Sequence, residues 1–452
     1  MPTSSWPEEE ARKTQMIVDI SSMLERSNPH VTNECCIYRV PYNIRRLNED
    51  AYNPKVVSIG PLHHNSNPRL QNMETYKRHY CNAFLQRTGT TLESWVSHIQ
   101  EEVSWFRSCY SHQLEFSNQD LVKIIVIDSG FILELFSKYH NGEISSDDIY
   151  IQNPSLFANI QFDLLLLENQ LPFSILESLY RLSVAGPEVP SFIGLSEVYF
   201  ANFNAHKLSK ADDGRIRHFT DLIRALHVQH GQFPQSRRTY ELVKHIPSAA
   251  ELLEAAGVRF AANDKTKCLL DLDFSGGVLK IPPLTVEYWT ESLFRNMIAF
   301  EQCHYPYESY ITDYAYLLDF LVNSGKDVDI LVQNGIIVNR VGDTDCVAKM
   351  FNSLLNHITQ VSGNSRYHGI CDNLNAFHRN PWQKWKWNLR HDYFNSPWKT
   401  AATVTAILLL ILTLVQSVCS VLQFPSIVCL IIIVLHTSQI RFFHLLDDGI
   451  EV

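Results

Sequence analysis

The side chains best suited to chemistry stand in "NPKVVSIGPLHHN", residues 53–65, where a short apolar run leads into Gly60-Pro61 and then the adjacent His63 and His64. Imidazoles bind metals and move protons near neutral pH. Neighbouring residues of an extended segment point to opposite faces, however, so one site seldom uses both. His227 and His230, three apart, suit one helical face, but no nearby Cys or carboxylate completes a zinc-like set. Asp163 and Glu168 flank four leucines; five residues apart on a helix, two carboxylates point in different directions. Glu168, Asn169 and Gln170 precede Pro172 and Phe173, where side-chain oxygens are placed to accept from the free N–H groups of the next helix. No P-loop, GxGxxG, GxSxG, HExxH or kinase set is present. The residues therefore point to no catalytic group, no metal ligand and no cofactor.

The elements that carry these side chains read as mostly helical. A 3.6-residue apolar period recurs in "DSGFILELF" (128–136), "FDLLLLENQ" (162–170), "PFSILESLYRL" (172–182), "SAAELLEAAGV", "TESLFRNMIAFEQC" and "TDYAYLLDFLV". Gly257 is placed to end the fourth of these, and Glu291 and Arg295 form an i, i+4 pair in the fifth. By contrast "CLLDLDFSGGVLKIPPL" (268–284) alternates apolar and acidic residues and turns at Gly276-Gly277, which predicts a β-hairpin. "KVVSI" is a second candidate strand. Residues 181–240 show weak periodicity and read as an irregular insertion. The expected organisation is a polar segment 1–30, one large helical domain 31–395, and a hydrophobic C-terminal part.

That C-terminal part is the most specific physical signal. Residues 400–422, Thr400 to Leu422, carry no charge and as a helix reach roughly 34 Å, enough for a hydrocarbon core of about 30 Å. Trp398 and Lys399 stand where an interfacial anchor belongs. Upstream, Trp382, Trp385, Leu389 and Tyr393 fall at helical spacing, either as a helix flat in the interface or as part of the soluble core. Positive charge precedes the span, which predicts a cytosolic body. In the tail, 423–452, the apolar run 426–436 is too short to cross alone. The chain of 452 residues has a net charge of −10, which argues against a general nucleic-acid surface. Its start, with three consecutive acids, has no secretory signal, and ten cysteines without a CxxC pair are expected to be reduced and mostly buried.

Several blocks together resemble one known family. "IYRVPYNIRRLNEDAYNPKVVSIGPLHH" (37–64), "DLLLLENQLPF" (163–173), "LKIPPL" (279–284), "FRNMIAFEQC" (294–303), "ITDYAYLLDFL" (311–321) and the apolar C-terminal segment are similar, in order and spacing, to the plant-specific family called domain of unknown function 247. Pro54, Gly60, Pro61, His63, His64, Glu168, Asn169, Gln170, Pro172, Phe173, Glu301 and Asp313 carry the resemblance. It implies a mainly helical domain with one C-terminal transmembrane helix and no established activity or cofactor. Some grass members act in self-incompatibility, which implies recognition. This chain departs from the family at Asn65, where members often have Gly, in 181–240, and in a long tail beyond Gln423.

The expectation is a mainly α protein with a small β-hairpin or sheet, held by one helix to a bilayer. It is expected to contact a protein partner, with 181–240 as the candidate surface; no nucleic acid is expected and no small-molecule ligand is inferred. Two alternatives stay open: a membrane-surface enzyme using His63, His64 or Glu168 in a polar pocket, and a purely structural anchor. The enzyme requires those residues in one open cleft within hydrogen-bond reach of each other.

Overall fold

The computed structural model describes residues 6–25, 33–143, 148–184, 186, 189–204, 216–228, 242–266, 268–360, 367–393 and 396–421. In chain order the first helices are α1 (Trp6–Glu25), α2 (Tyr42–Arg45), α3 (Gln71–Thr88), α4 (Leu92–Ser108), α5 (Asn118–Asn141), α6 (Ile149–Gln152), α7 (Pro154–Asp163), α8 (Phe173–Ser183), α9 (Phe192–Tyr199), α10 (Phe219–His227) and α11 (Ala249–Ala256). Then come β1 (Arg259–Ala262), β2 (Asp273–Ser275), β3 (Val278–Ile281), β4 (Leu284–Val286), α12 (Thr290–His304), α13 (Tyr310–Leu321), α14 (Gly325–Gln333), β5 (Ile337–Asn339) and α15 (Thr344–Leu354). α16 (His368–Arg379), α17 (Pro381–Tyr393) and α18 (Pro397–Val421) complete the described chain. The fold is mainly helical, as expected. It divides into two compact units, Met1–Glu251 with Val258–Asn375, and Leu252–Gly257 with Ala376–Val452. The larger unit thus ends at Asn375, before the expected boundary at 395, because α17 packs on α18.

Helix α5 is the axis of the larger unit. The Ser117 hydroxyl accepts from the Asp120 N–H at its start, and Gly142, at φ +69°, ends it. Nearly every residue from Leu121 to Ser137 is buried, so its apolar pattern runs all round and α3, α4, α8 and α9 pack against it. At Gly130 an added Cβ would lie 2.4 Å from the Cys81 sulfur, so α3 crosses α5 in direct contact. In the second half α12 plays the same part, packing on α10, α13 and α15, and its Glu291–Arg295 pair forms at 2.8 Å.

The expected hairpin is present. β2 and β3 pair antiparallel with Phe274 opposite Leu279. Gly276 and Gly277, at φ +57° and +74°, supply the two positive dihedrals of a type I′ turn. β1 joins β3 in parallel to give the order β1-β3-β2, and β4 pairs in parallel with β5.

Three expectations are corrected, and one segment gains a helix. The helix expected over 162–170 ends at Asp163, where Gln170 Nε2 donates to the carbonyls of Leu164 and Leu166 and stabilises the buried 164–170 as a tight loop instead. "KVVSI" forms no strand: Lys55 and Val56 are bends, and among the described residues no strand pairs with 55–59. The described parts of 181–240 are not irregular: they form α9 and α10, and Phe192, Tyr199, Phe200 and Phe219 all pack around Phe136 of α5. The signal was missed because this element is short and aromatic on several sides rather than periodic. Within the polar segment 1–30, residues 6–25 form a helix that leaves Met16, Ile17, Val18 and Ile20 exposed.

Cys35, Cys36, Cys81, Cys109, Cys268 and Cys371 are buried free thiols. α18 is long and apolar enough to cross a membrane, and none of its apolar window is buried. Leu422, the run 426–436, the tail 423–452 and His230 lie outside the described residues.

Candidate functional site

Part of the resemblance-bearing set meets at the segment 53–61. Pro54, Gly60 and Pro61 are buried, and the backbone between them is met by side chains where a sheet would supply a neighbouring strand. Asp163 accepts from the N–H groups of Lys55, Val56 and Val57 at 2.6–2.8 Å. Asn169 accepts from Ile59 N–H at 2.7 Å and donates to the carbonyls of Val57 and Asp163. Lys77 donates to the Ser58 carbonyl at 2.8 Å and pairs with Asp128 at 2.6 Å, and Asp128 accepts from Gly60 N–H. Burial opposes the Lys77 charge, but Asp128 and Glu74 outweigh it and raise the ammonium above its ordinary value. Burial pushes Asp163 up to about 7, restrained by its three backbone donors. Gly60 is at φ +70°, where an added Cβ would lie 2.4 Å from the Gln170 carbonyl oxygen.

Each residue of Glu168-Asn169-Gln170 has a side chain matched to the groups around it. Glu168, an acceptor only, meets donors from Val40 N–H at 2.8 Å and Arg45 at 2.6 Å. Asn169 faces one N–H and two carbonyls, which only an amide satisfies. Gln170 donates twice within its own loop and accepts from Phe219 N–H, the first residue of α10. The expectation that this triplet caps the following helix is therefore corrected: α8 starts at Phe173 after Pro172 with no side-chain cap, and the helix capped is α10. Chain reversal at 164–170 turns these oxygens toward elements remote in sequence.

The two histidines point apart, as expected. His63 is buried and its Nε2 lies 3.7 Å from Glu168, too far to hydrogen-bond. Burial, then Arg45 and Arg39, lower its pKa to about 4. With Glu168 already held by Arg45, the imidazole is neutral. His64 is half-buried and sets its ring edge against Phe116 at 6.0 Å. Asn65 follows at φ +59°, a left-handed position that glycine occupies without strain and asparagine tolerates.

Glu301 and Asp313 belong to a second buried cluster. Glu301 accepts from Arg224 at 2.9 Å and from the N–H groups of Ile311 and Thr312, so it caps α13 while pairing with a fully buried guanidinium. Arg224 also lies 4.0 Å over the Tyr305 ring. Burial, then Glu301, push Asp313 up to about 8. No group of His, Cys, Asp and Glu able to hold a metal occurs among the described residues.

Among the described residues none of these groups lines the broad cavity; Asp163 borders a small one of about 20 Å³. The broad opening lies elsewhere, a cavity of about 1000 Å³ whose lining includes Phe162, Val198, Phe203, Tyr288, Trp289 and Arg340. Trp289 packs against Phe203 at 4.8 Å and Phe162 at 5.2 Å, and its indole N–H donates to Glu287 at 2.7 Å. Glu287 in turn pairs with Arg340 at 2.9 Å. The paired strands β4 and β5 bring Glu287 and Arg340 together, and the segment 194–204 supplies the opposite wall. Sequence reasoning missed this cleft. Its one local signal is the Tyr288-Trp289 pair at the start of α12.

Residues 37–412 match a family, domain of unknown function 247, described as a plant protein of unknown function. A UPF0481 protein of Arabidopsis thaliana is 28% identical over 424 residues, covering 86% of this chain and 87% of that protein. A putative UPF0481 protein of the same plant is 20% identical over 505 residues, covering 89% and 94%. No solved structure matches the chain.

Proposed function

We propose that this chain, which belongs to the plant family domain of unknown function 247, is a membrane-anchored interaction protein whose helical body is held at a bilayer by α18 and meets a protein partner through the aromatic cleft. The observation that carries this reading is the surface of α18. Leu409, Leu410, Ile411, Leu414 and Val418 are all at least half exposed, an apolar cylinder that water solvates poorly and lipid covers. The basic residues that precede it favour a cytosolic body by the positive-inside tendency. The cleft draws one wall from 194–204, inside the stretch 181–240 expected to contact a partner, and Tyr288 at its rim is exposed. Exposed aromatics in a concave surface are the usual anchors of protein recognition. Burial of His63 and Glu168 against backbone groups supports recognition over membrane-surface catalysis by those residues.

Alkaline carbonate extraction tests the anchor. Full-length protein stays with the membrane pellet, and truncation before Thr400 releases it; release of the full-length chain defeats the reading. Proximity labelling with Trp289→Ala beside the wild type tests the cleft. A labelled protein set that is lost in the variant supports it, and an unchanged set moves the partner surface elsewhere.

A further inference from the structure

Helix α17 carries an aromatic face that the protein leaves open. At 100° per residue Trp382, Trp385, Leu389 and Tyr393 fall within one narrow arc. Trp382 is 74% exposed, Trp385 58% and Tyr393 53%. Trp387, on the other side of the helix, is used internally: it packs over Gly257, where an added Cβ would come within 2.7 Å of its ring. Trp387 packs inward while Trp382 and Trp385 stand in solvent, edge to face with each other at 6.1 Å.

Two further observations say what covers that face. The first is a hydrogen bond from the Thr403 hydroxyl to the Tyr393 carbonyl at 3.2 Å. Ten residues of continuous helix would separate these positions by about 15 Å, so α17 does not prolong the axis of α18, and its last residue meets the side of α18. Thr403 is six residues past Pro397, about 9 Å along α18. A span beginning at Trp398 and Lys399 therefore brings the end of α17 to the depth of roughly 5–10 Å at which amphipathic helices lie between headgroups and acyl chains. The second is charge. Residues 376–399 hold Arg379, Lys384, Lys386, Arg390 and Lys399 against the single acid Asp392, in a chain whose net charge is −10. The rest of the protein repels an anionic surface and this segment attracts one.

We infer that α17 is an in-plane membrane helix that lays Trp382, Trp385, Leu389 and Tyr393 into the headgroup–acyl boundary of a leaflet carrying anionic lipid. The inference rests on the reading of α18 as a span, and it adds a second, lipid-selective contact at the surface. Tethering by the span makes this contact intramolecular, so modest intrinsic affinity suffices.

The test is amide hydrogen exchange of full-length protein in nanodiscs of phosphatidylcholine alone, in nanodiscs of phosphatidylcholine with phosphatidylserine, and in detergent. The variants are Trp382→Ala/Trp385→Ala and Lys384→Gln/Lys386→Gln/Arg390→Gln. Exchange across 381–393 slows more than about tenfold on adding phosphatidylserine, each basic residue near the surface weighing severalfold in the equilibrium. Both variants reverse the slowing. Equal protection in detergent and in both nanodiscs overturns the inference, because α17 would then be stabilised by the protein alone. Equal protection in both nanodiscs but not in detergent overturns its anionic selectivity, and no protection anywhere overturns it entirely. Residues 400–418 report separately: free exchange there means that α18 is not inserted, a failure of the anchor, whereas their protection beside an unprotected α17 is a failure of this inference alone.

Discussion

Replacing Asn169 by alanine removes, at a fully buried position, one acceptor and one doubly used donor. The Ile59 N–H and the carbonyls of Val57 and Asp163 lose that partner in a region closed to solvent. An orphaned buried polar group costs about 1–3 kcal/mol; the Asp163 carbonyl keeps the Leu166 N–H at 3.4 Å, so the Ile59 N–H and the Val57 carbonyl together cost about 2–6 kcal/mol. This is a large part of a typical domain stability of roughly 5–15 kcal/mol. Asn169→Asp is nearly isosteric, yet it sets an oxygen against two carbonyl oxygens at 2.8 and 3.0 Å and should be at least as damaging at neutral pH. Protonation restores a single donor, so its penalty shrinks in acid. Urea unfolding of purified full-length protein, followed by tryptophan fluorescence, measures both. If either variant lies within about 0.5 kcal/mol of the wild type, below the cost of one orphaned group, Asn169 does not staple 53–61 and the structural account of this residue fails.

Other perturbations separate the remaining contributions. Gly60→Ala, with its Cβ 2.4 Å from a backbone oxygen, should cost more than about 3 kcal/mol or abolish folding, whereas Gly89→Ala, at nearly the same φ with nothing within 4 Å, should cost only about 1 kcal/mol; melting temperatures compare the two. His63 has a folded pKa depressed from 6.5 to about 4, so its contribution is complete above pH 6.5 and is lost as the pH falls toward 4. Unfolding curves over that window should show the wild type losing on the order of 3 kcal/mol more than His63→Gln. Arg224→Met leaves the Glu301 carboxylate buried without its cation and should cost about 3–5 kcal/mol by chemical unfolding. Asn65→Val puts a β-branched side chain at φ +59° and should cost about 1–2 kcal/mol in the same assay.

Much of the fold was legible in the chain because its cause is local. Gly276-Gly277 between alternating runs specifies a type I′ turn whatever surrounds it. The uncharged run in α18 and the apolar periods of α5, α8, α12 and α13 report their helices through spacing alone. The adjacent histidines point apart, but in consecutive turns, Pro61–His64 and His63–Ser66, rather than by the alternation of an extended segment. What failed were places where tertiary contacts override the pattern. "KVVSI" has strand composition, but its backbone partners are Asp163, Asn169, Lys77 and Asp128, side chains separated from it by up to 112 residues. Glu168-Asn169-Gln170 was recognisable as a set of side-chain oxygens placed to hold backbone N–H groups, yet which backbone they hold depends on how the buried loop 164–170 reverses.

By itself the sequence determined the helical class, the apolar C-terminal helix and the family, since each follows from periodicity, charge or the order of short blocks. Only the tertiary structure decided that His63, Glu168 and Asn169 lie inside the protein and that an aromatic cleft opens beside Trp289. It alone set the end of α17 against the side of α18. The physical reason is common to all of these. A side chain's type states which hydrogen bonds and contacts it can make, but burial and the meeting of distant segments decide whether those capacities are used within the protein or left open at its surface.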